Sequence, residues 1–292
     1  MGLFAYDFMT RAMLGALITG LAAPSIGIYL VQRRLSLIGD GIGHIALTGV
    51  GIGLLTGRDP VLTAVLVSAV GAVAVELIRE RGRTSGDIAL AMLFYGGISG
   101  GVVLVSLSSD HSSASLMSYL FGSPLTTSRV DLVVMAVLGA AVLAVALLLR
   151  PWLFAISQDE EFARVSGLPV RALNLLLAVT TSVTVTVAMR AVGLLLVSAL
   201  MVVPVATAQQ VTRGFRATMY LAMTLGMVAA IAGIGVSWQL NTAPGATIVL
   251  LAIAGFLVVT LAAAGWRAVR RGQVRRGSAA EPVEPPEVVL ER

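Results

Sequence analysis

The sequence contains no cysteine, and all twenty of its basic residues are arginine. Without thiols there are no thiolate metal sites, no thiol nucleophile and no disulfide-stapled secreted domain. Without lysine there is no G-x-x-x-x-G-K-[ST] phosphate loop, so ATP hydrolysis of that type belongs to another chain. The chain is therefore not expected to be an enzyme itself. Charge is also scarce, at 12% of 292 residues, about half the share usual in a soluble domain. Hydrophobic residues make up 57%, and the mean hydropathy is +0.94. This balance excludes a disordered chain and a nucleic-acid-binding domain, and it reads as an all-α polytopic membrane protein.

A helix crosses the hydrocarbon core in about 20 residues. Charge-poor stretches of that length fall near 10–31, 35–56, 60–78, 87–107, 131–149, 172–189, 191–209, 217–238 and 245–264. That gives eight or nine transmembrane helices, because the join near Arg190 is either a broken helix or a boundary between two full spans. The stretches lack the alternation of membrane barrels. The first is read as a retained span, since its apolar run continues to Val31 before Gln32-Arg33-Arg34 stops it.

With an outside N-terminus, the inside loops hold Arg33, Arg34, Arg79, Arg81, Arg83, Arg150, Arg164, Arg171, Arg213 and Arg216. The tail adds Arg267, Arg270, Arg271, Arg275, Arg276 and Arg292, leaving only Arg11, Arg58, Arg129 and Arg190 outside. The net charge of +5 is thus a topology signal, with a cytoplasmic C-terminus. Residues 1–264 form the membrane domain. Residues 265–292 are basic, then Pro- and Glu-rich, and are expected to be disordered.

Ionisable residues inside spans are costly and ask for a reason. One of only two histidines lies in the second span, in Asp40-Gly41-Ile42-Gly43-His44. The i,i+4 spacing stacks carboxylate and imidazole on one helical face. Those oxygen and nitrogen donors suit zinc or manganese. Two ligands do not close a site, whereas a two-fold dimer would supply four. The bland alternative is an Asp–His pair bonded within the bundle. Asp87 after Thr84-Ser85-Gly86 reads first as a helix cap, Glu76 and Glu80 as interfacial partners of Arg79, Arg81 and Arg83, and His111 as a solvated loop residue. Pro204 is expected to kink or break its span, and Asn241-Thr242-Ala243-Pro244-Gly245 to form a tight turn.

The loop at 157–169 carries Ser157-Gln158-Asp159-Glu160-Glu161-Phe162-Ala163-Arg164-Val165-Ser166-Gly167-Leu168-Pro169. Ser157 with Glu160 fits a capping box, and Gly167 with Pro169 fits a helix end. A short helix is expected there, either docking a partner or lying on headgroups.

Gln32-Arg33-Arg34-Leu35-Ser36, Gly39-Asp40, His44 and Gly49-Val50 resemble the second-span motif of the permease family of zinc, manganese and iron ABC importers. The likeness continues through Tyr119-Leu120-Phe121-Gly122, Ile156 to Gly167, Val192-Gly193 to Ala208 and Thr242-Ala243-Pro244-Gly245. This resemblance implies a homodimeric bundle of the type II importer kind, like the vitamin B12 and siderophore permeases. It further implies two cytoplasmic ATPase subunits and an extracytoplasmic metal-binding protein. It places Asp40 and His44 on the metal pathway, and Glu161, Phe162, Ala163 and Gly167, with the acids Asp159 and Glu160, in the ATPase-coupling loop. No cofactor is expected to be permanently bound, the divalent metal being cargo, with zinc ahead of manganese or iron. Gly43 and Thr48 depart from the family pattern, which usually has Ser or Ala and often Pro there. The rival is an ATP-independent carrier using Asp40–His44 as a proton relay.

Overall fold

The computed structural model describes residues 7–80, 86–108, 120, 122 and 128–278. Among them lie eleven helices and no strand: α1 (Asp7–Gln32), α2 (Ile38–Thr56), α3 (Pro60–Glu80), α4 (Gly86–Leu107), α5 (Arg129–Leu148), α6 (Arg150–Gln158), α7 (Glu160–Val165), α8 (Val170–Val192), α9 (Leu194–Val211), α10 (Phe215–Leu240) and α11 (Pro244–Ser278). Eight of these are long and apolar enough to cross a membrane; α9 contributes a shorter apolar stretch, Leu196–Val211. The all-helical architecture expected from the sequence is present.

Helix directions follow from who touches whom. Gly49 lies against Thr63 and Ala64, and Gly53 against Pro60, so α2 and α3 are antiparallel. Ser68 bonds Thr186 at 2.9 Å, while Arg79 at the end of α3 and Asn174 near the start of α8 both approach Glu160. Hence α8 runs antiparallel to α3. Along α9, Leu194 meets Gly43, Ser198 meets Asp40 and Met201 meets Gly39, which sets α9 antiparallel to α2. Two helices of opposite direction are therefore joined by one residue, and the open question near Arg190 resolves into a reversal at Gly193. Its backbone sits at φ 93°, ψ 150°, a region open to glycine and costly for other residues.

Pro204 does not break α9, which stays helical from Leu194 to Val211. The interruption falls at Gly193 instead, where a β-carbon would forbid the backbone angles. The 241–245 turn is as expected: Asn241 is left-handed, and Ser237 Oγ donates to Thr242 O at 2.6 Å.

Helices approach closely where a side chain is missing. A β-carbon on Gly27 would collide with the Met201 carbonyl, so α1 and α9 touch backbone to backbone there. α1 also packs against α5, α8 and α10, which makes it a central helix rather than a peripheral leader. These directions gather Arg33, Arg34, Arg79, Arg150, Arg164, Arg171, Arg213 and Arg216 at the end of the bundle that carries α7, with Arg11, Arg58 and Arg129 at the other.

Candidate functional site

The chain leaves α1 through a tight turn before α2. Arg34 is left-handed (φ 59°), Leu35 N donates to Leu30 O at 2.8 Å, and Ile38 N to Leu35 O at 3.0 Å. Leu37 offers no side-chain cap, and Asp40 lies in the first turn of α2, where a carboxylate complements the helix end. His44 follows one turn later, its Nε2 4.0 Å from Asp40 Oδ1. That is longer than a direct hydrogen bond. Asp40 Oδ1 instead accepts from Ser198 Oγ of α9 at 3.2 Å. The His44 ring is 5% exposed, lies edge-on to Phe94 at 4.3 Å, and its Nδ1 is buried with no hydrogen-bond partner.

Asp40 lines a cleft of about 290 Å³ with Leu37, Leu90, Ala91, Phe94 and Tyr95. Among the described residues no third His, Cys, Asp or Glu joins the pair. One chain thus supplies a carboxylate and an imidazole, with a serine hydroxyl steadying the former. Ser198 lies 158 residues from Asp40 and has no motif of its own.

At the α7 end the residues of the expected coupling loop divide by role. Ser157 belongs to α6 and spends its hydroxyl on Leu153 O at 2.7 Å, so the expected Ser157 cap is replaced by Asp159, whose carboxylate accepts from Phe162 N at 2.9 Å. Ala163 is buried, Gly167 is left-handed at φ 82°, and Leu168 N closes onto Ala163 O. Glu161 and Phe162 are exposed, Phe162 by 70%. Glu160 turns inward: it pairs with Arg33 at 2.7 Å and accepts from Asn174 at 3.3 Å. Glu76, at 6% exposure, takes two bonds from Arg79, the ion pair expected of it, and Glu80 reaches Arg171 at 3.2 Å. Burial, and next the Arg79 charge, pull the Arg33 guanidinium below its ordinary value, with Glu160 and Glu76 opposing.

Pro204 lines an apolar cleft of about 230 Å³ between α9, α10 and α11. His111, the capping residues Thr84 and Ser85, Arg81, Arg83, Tyr119, Phe121 and the tail beyond 278 lie outside the described residues, as does the side chain of Asp87.

Residues 5–263 match the model of the ABC 3 transport family. The chain belongs to this family. Among its relatives, the manganese transport system membrane protein MntC of Halalkalibacterium halodurans is 32% identical over 86% of this chain and 85% of its own length. The chelated iron transport system membrane protein YfeD of Yersinia pestis is 31% identical over 88% and 86%. Among solved structures, PsaBC from Streptococcus pneumoniae in complex with Fab superposes with a TM-score of 0.80 at 29% identity, covering 88% of this chain and 92% of that one. A family permease of this kind is a transport subunit in the membrane.

Proposed function

We propose that this chain is the permease of an ATP-driven importer of a bare divalent cation, manganese first. The observation that carries the reading is the Asp40–His44 pair: two donors on one face of α2, unbonded to each other, with a buried imidazole nitrogen left unpartnered. An orphaned buried polar atom costs about 1–3 kcal/mol, which a passing cation or its water offsets. The carboxylate and the nearby Ser198 hydroxyl make the site richer in oxygen than a zinc site of histidines, and oxygen donors suit manganese. The relatives named above carry manganese and iron in their names, which favours manganese over the zinc expected first from sequence.

Asp40 has 24% of its side chain exposed into a cleft at the protein surface. A carboxylate facing lipid is costly, so a second copy covers that face and brings two Asp40 and two His44 around a shared path. The arginine-rich end faces the cytoplasm. There α7 presents Glu161 and Phe162 to a separate ATPase subunit. An extracytoplasmic metal-binding protein delivers the ion at the opposite end.

Ala substitutions of Asp40 and His44 in cells lacking other importers test this. Both variants are expected at normal abundance with Mn²⁺ uptake reduced by more than about tenfold, the scale of losing a metal ligand or its close support. Competition by Fe²⁺ and Zn²⁺ ranks the ions. Undiminished uptake at normal abundance refutes the assignment.

A further inference from the structure

We propose that the Glu160–Arg33 ion pair is the positioning link through which α7 acts on the Asp40–His44 pair; the proposal rests on the importer function above. Arg33 is the first residue beyond α1, and its side chain is only 6% exposed. Its two terminal nitrogens are committed to different elements, Nη2 to Glu160 Oε2 of α7 at 2.7 Å and Nη1 to Asn174 Oδ1 of α8 at 2.8 Å. Asn174 Nδ2 closes the triangle onto Glu160 Oε1 at 3.3 Å. Arg79 of α3 stands 4.0 Å from Glu160 and is itself held by Glu76. Arg164, one turn along α7, also reaches Glu160 Oε1 at 3.4 Å, so three arginines meet two glutamates where α1, α3, α7 and α8 converge. Removing the Glu160 carboxylate leaves the Arg33 guanidinium, 6% exposed, without its ion-pair partner.

The position of Arg33 in the chain gives this cluster its consequence. Arg33 N still donates to Tyr29 O, so the residue moves with the end of α1. Arg34 then reverses the chain, and Asp40 follows seven residues after Arg33, in the first turn of α2. A second tie runs in parallel, Gln158 Nε2 of α6 donating to Gln32 Oε1 at 2.9 Å. The outward face of α7 carries Phe162 and Val165, both exposed, while Glu160 points the other way. One short helix therefore faces a partner with its apolar residues and grips the α1–α2 turn with its acid. Motion imposed on α7 reaches the ligand-bearing turn through this pair.

The test uses the complete transporter, with its ATPase and delivery subunits, in proteoliposomes with Mn²⁺ as the probe. The readout is Mn²⁺ taken up per ATP hydrolysed, because a merely structural contact lowers yield without changing that ratio. Glu160→Gln and Arg33→Gln are expected to retain the ATPase subunits and to keep hydrolysing ATP, with the ratio lowered by at least about fivefold, the lower bound of ordinary site-to-site coupling. The double exchange Arg33→Glu/Glu160→Arg is expected to restore part of it. A wild-type ratio in both single variants overturns the proposal. So does loss of uptake that tracks loss of the ATPase subunits, since the pair would then serve docking alone. Where the glutamine variants are not recovered from membranes, Glu160→Asp keeps the charge and withdraws it by one methylene. A folded Glu160→Asp complex with the wild-type ratio also overturns the link, and a lowered ratio supports it. Absence of ATP-dependent Mn²⁺ uptake by the wild-type complex refutes the importer reading itself, a result distinct from all of these.

Discussion

Gly43 stands immediately before His44, and a β-carbon there would run into Leu194 and press on Val185 at 3.3 Å. Leu194, at the first turn of α9, fills the space that a side chain at position 43 would take. Gly43→Ala is expected to cost about 1–3 kcal/mol by overpacking. The Gly43→Ala/Leu194→Ala pair should be less damaged than the sum of its singles by at least about 0.5 kcal/mol. Thermal denaturation of the purified permease measures both, and strict additivity would show that the two residues do not meet. Asp40 and His44 were legible because i,i+4 spacing is local and helical. Ser198 was not, since its bond to Asp40 spans 158 residues and depends on α9 returning beside α2. The Glu160–Arg33 pair, 127 residues apart, was hidden for the same reason.

At the scale of elements, the short helix α7 shows how far a motif carries. Ser157 and Glu160 have capping-box spacing, but α6 continues through Ser157 and takes its hydroxyl, so the helix start moves to Asp159. Asp159→Ala is expected to destabilise α7 by about 1 kcal/mol, the usual worth of an N-cap. Ser157→Ala should stay within about 0.5 kcal/mol. Hydrogen exchange at the α7 amides distinguishes them, and equal deprotection by the two variants would restore the Ser157 cap. Reversing all three acids of the loop would confuse docking with folding, because Asp159 caps and Glu160 is internally paired. Glu161 and Phe162 are the positions that test the ATPase contact. The reversal at Gly193 had one local sign, a glycine between two apolar runs, but sequence could not say whether the chain bent or turned back.

For the whole molecule, the arginine distribution and the helix directions agree. Described arginines predicted to lie together do lie at one end, with α7 among them. Tyr95, exposed by 68%, lines the Asp40 cleft, and the proposed dimer would bring it near its counterpart. The absence of native cysteine makes this directly testable. Tyr95→Cys is expected to yield an oxidative, reductant-sensitive dimer in membranes while leaving assembly intact. A functional transporter that gives no such dimer would place the partner on another face. By itself the sequence determined the class, the spans, the orientation signal and the Asp–His pair. Hydropathy, loop charge and helical period are properties of neighbouring residues, and the sequence carries them in full. Only the tertiary structure decided that the chain turns back at Gly193, that Ser198 steadies Asp40, and that Glu160 grips Arg33. Each of those depends on which helices lie side by side, and close packing through missing side chains sets that arrangement.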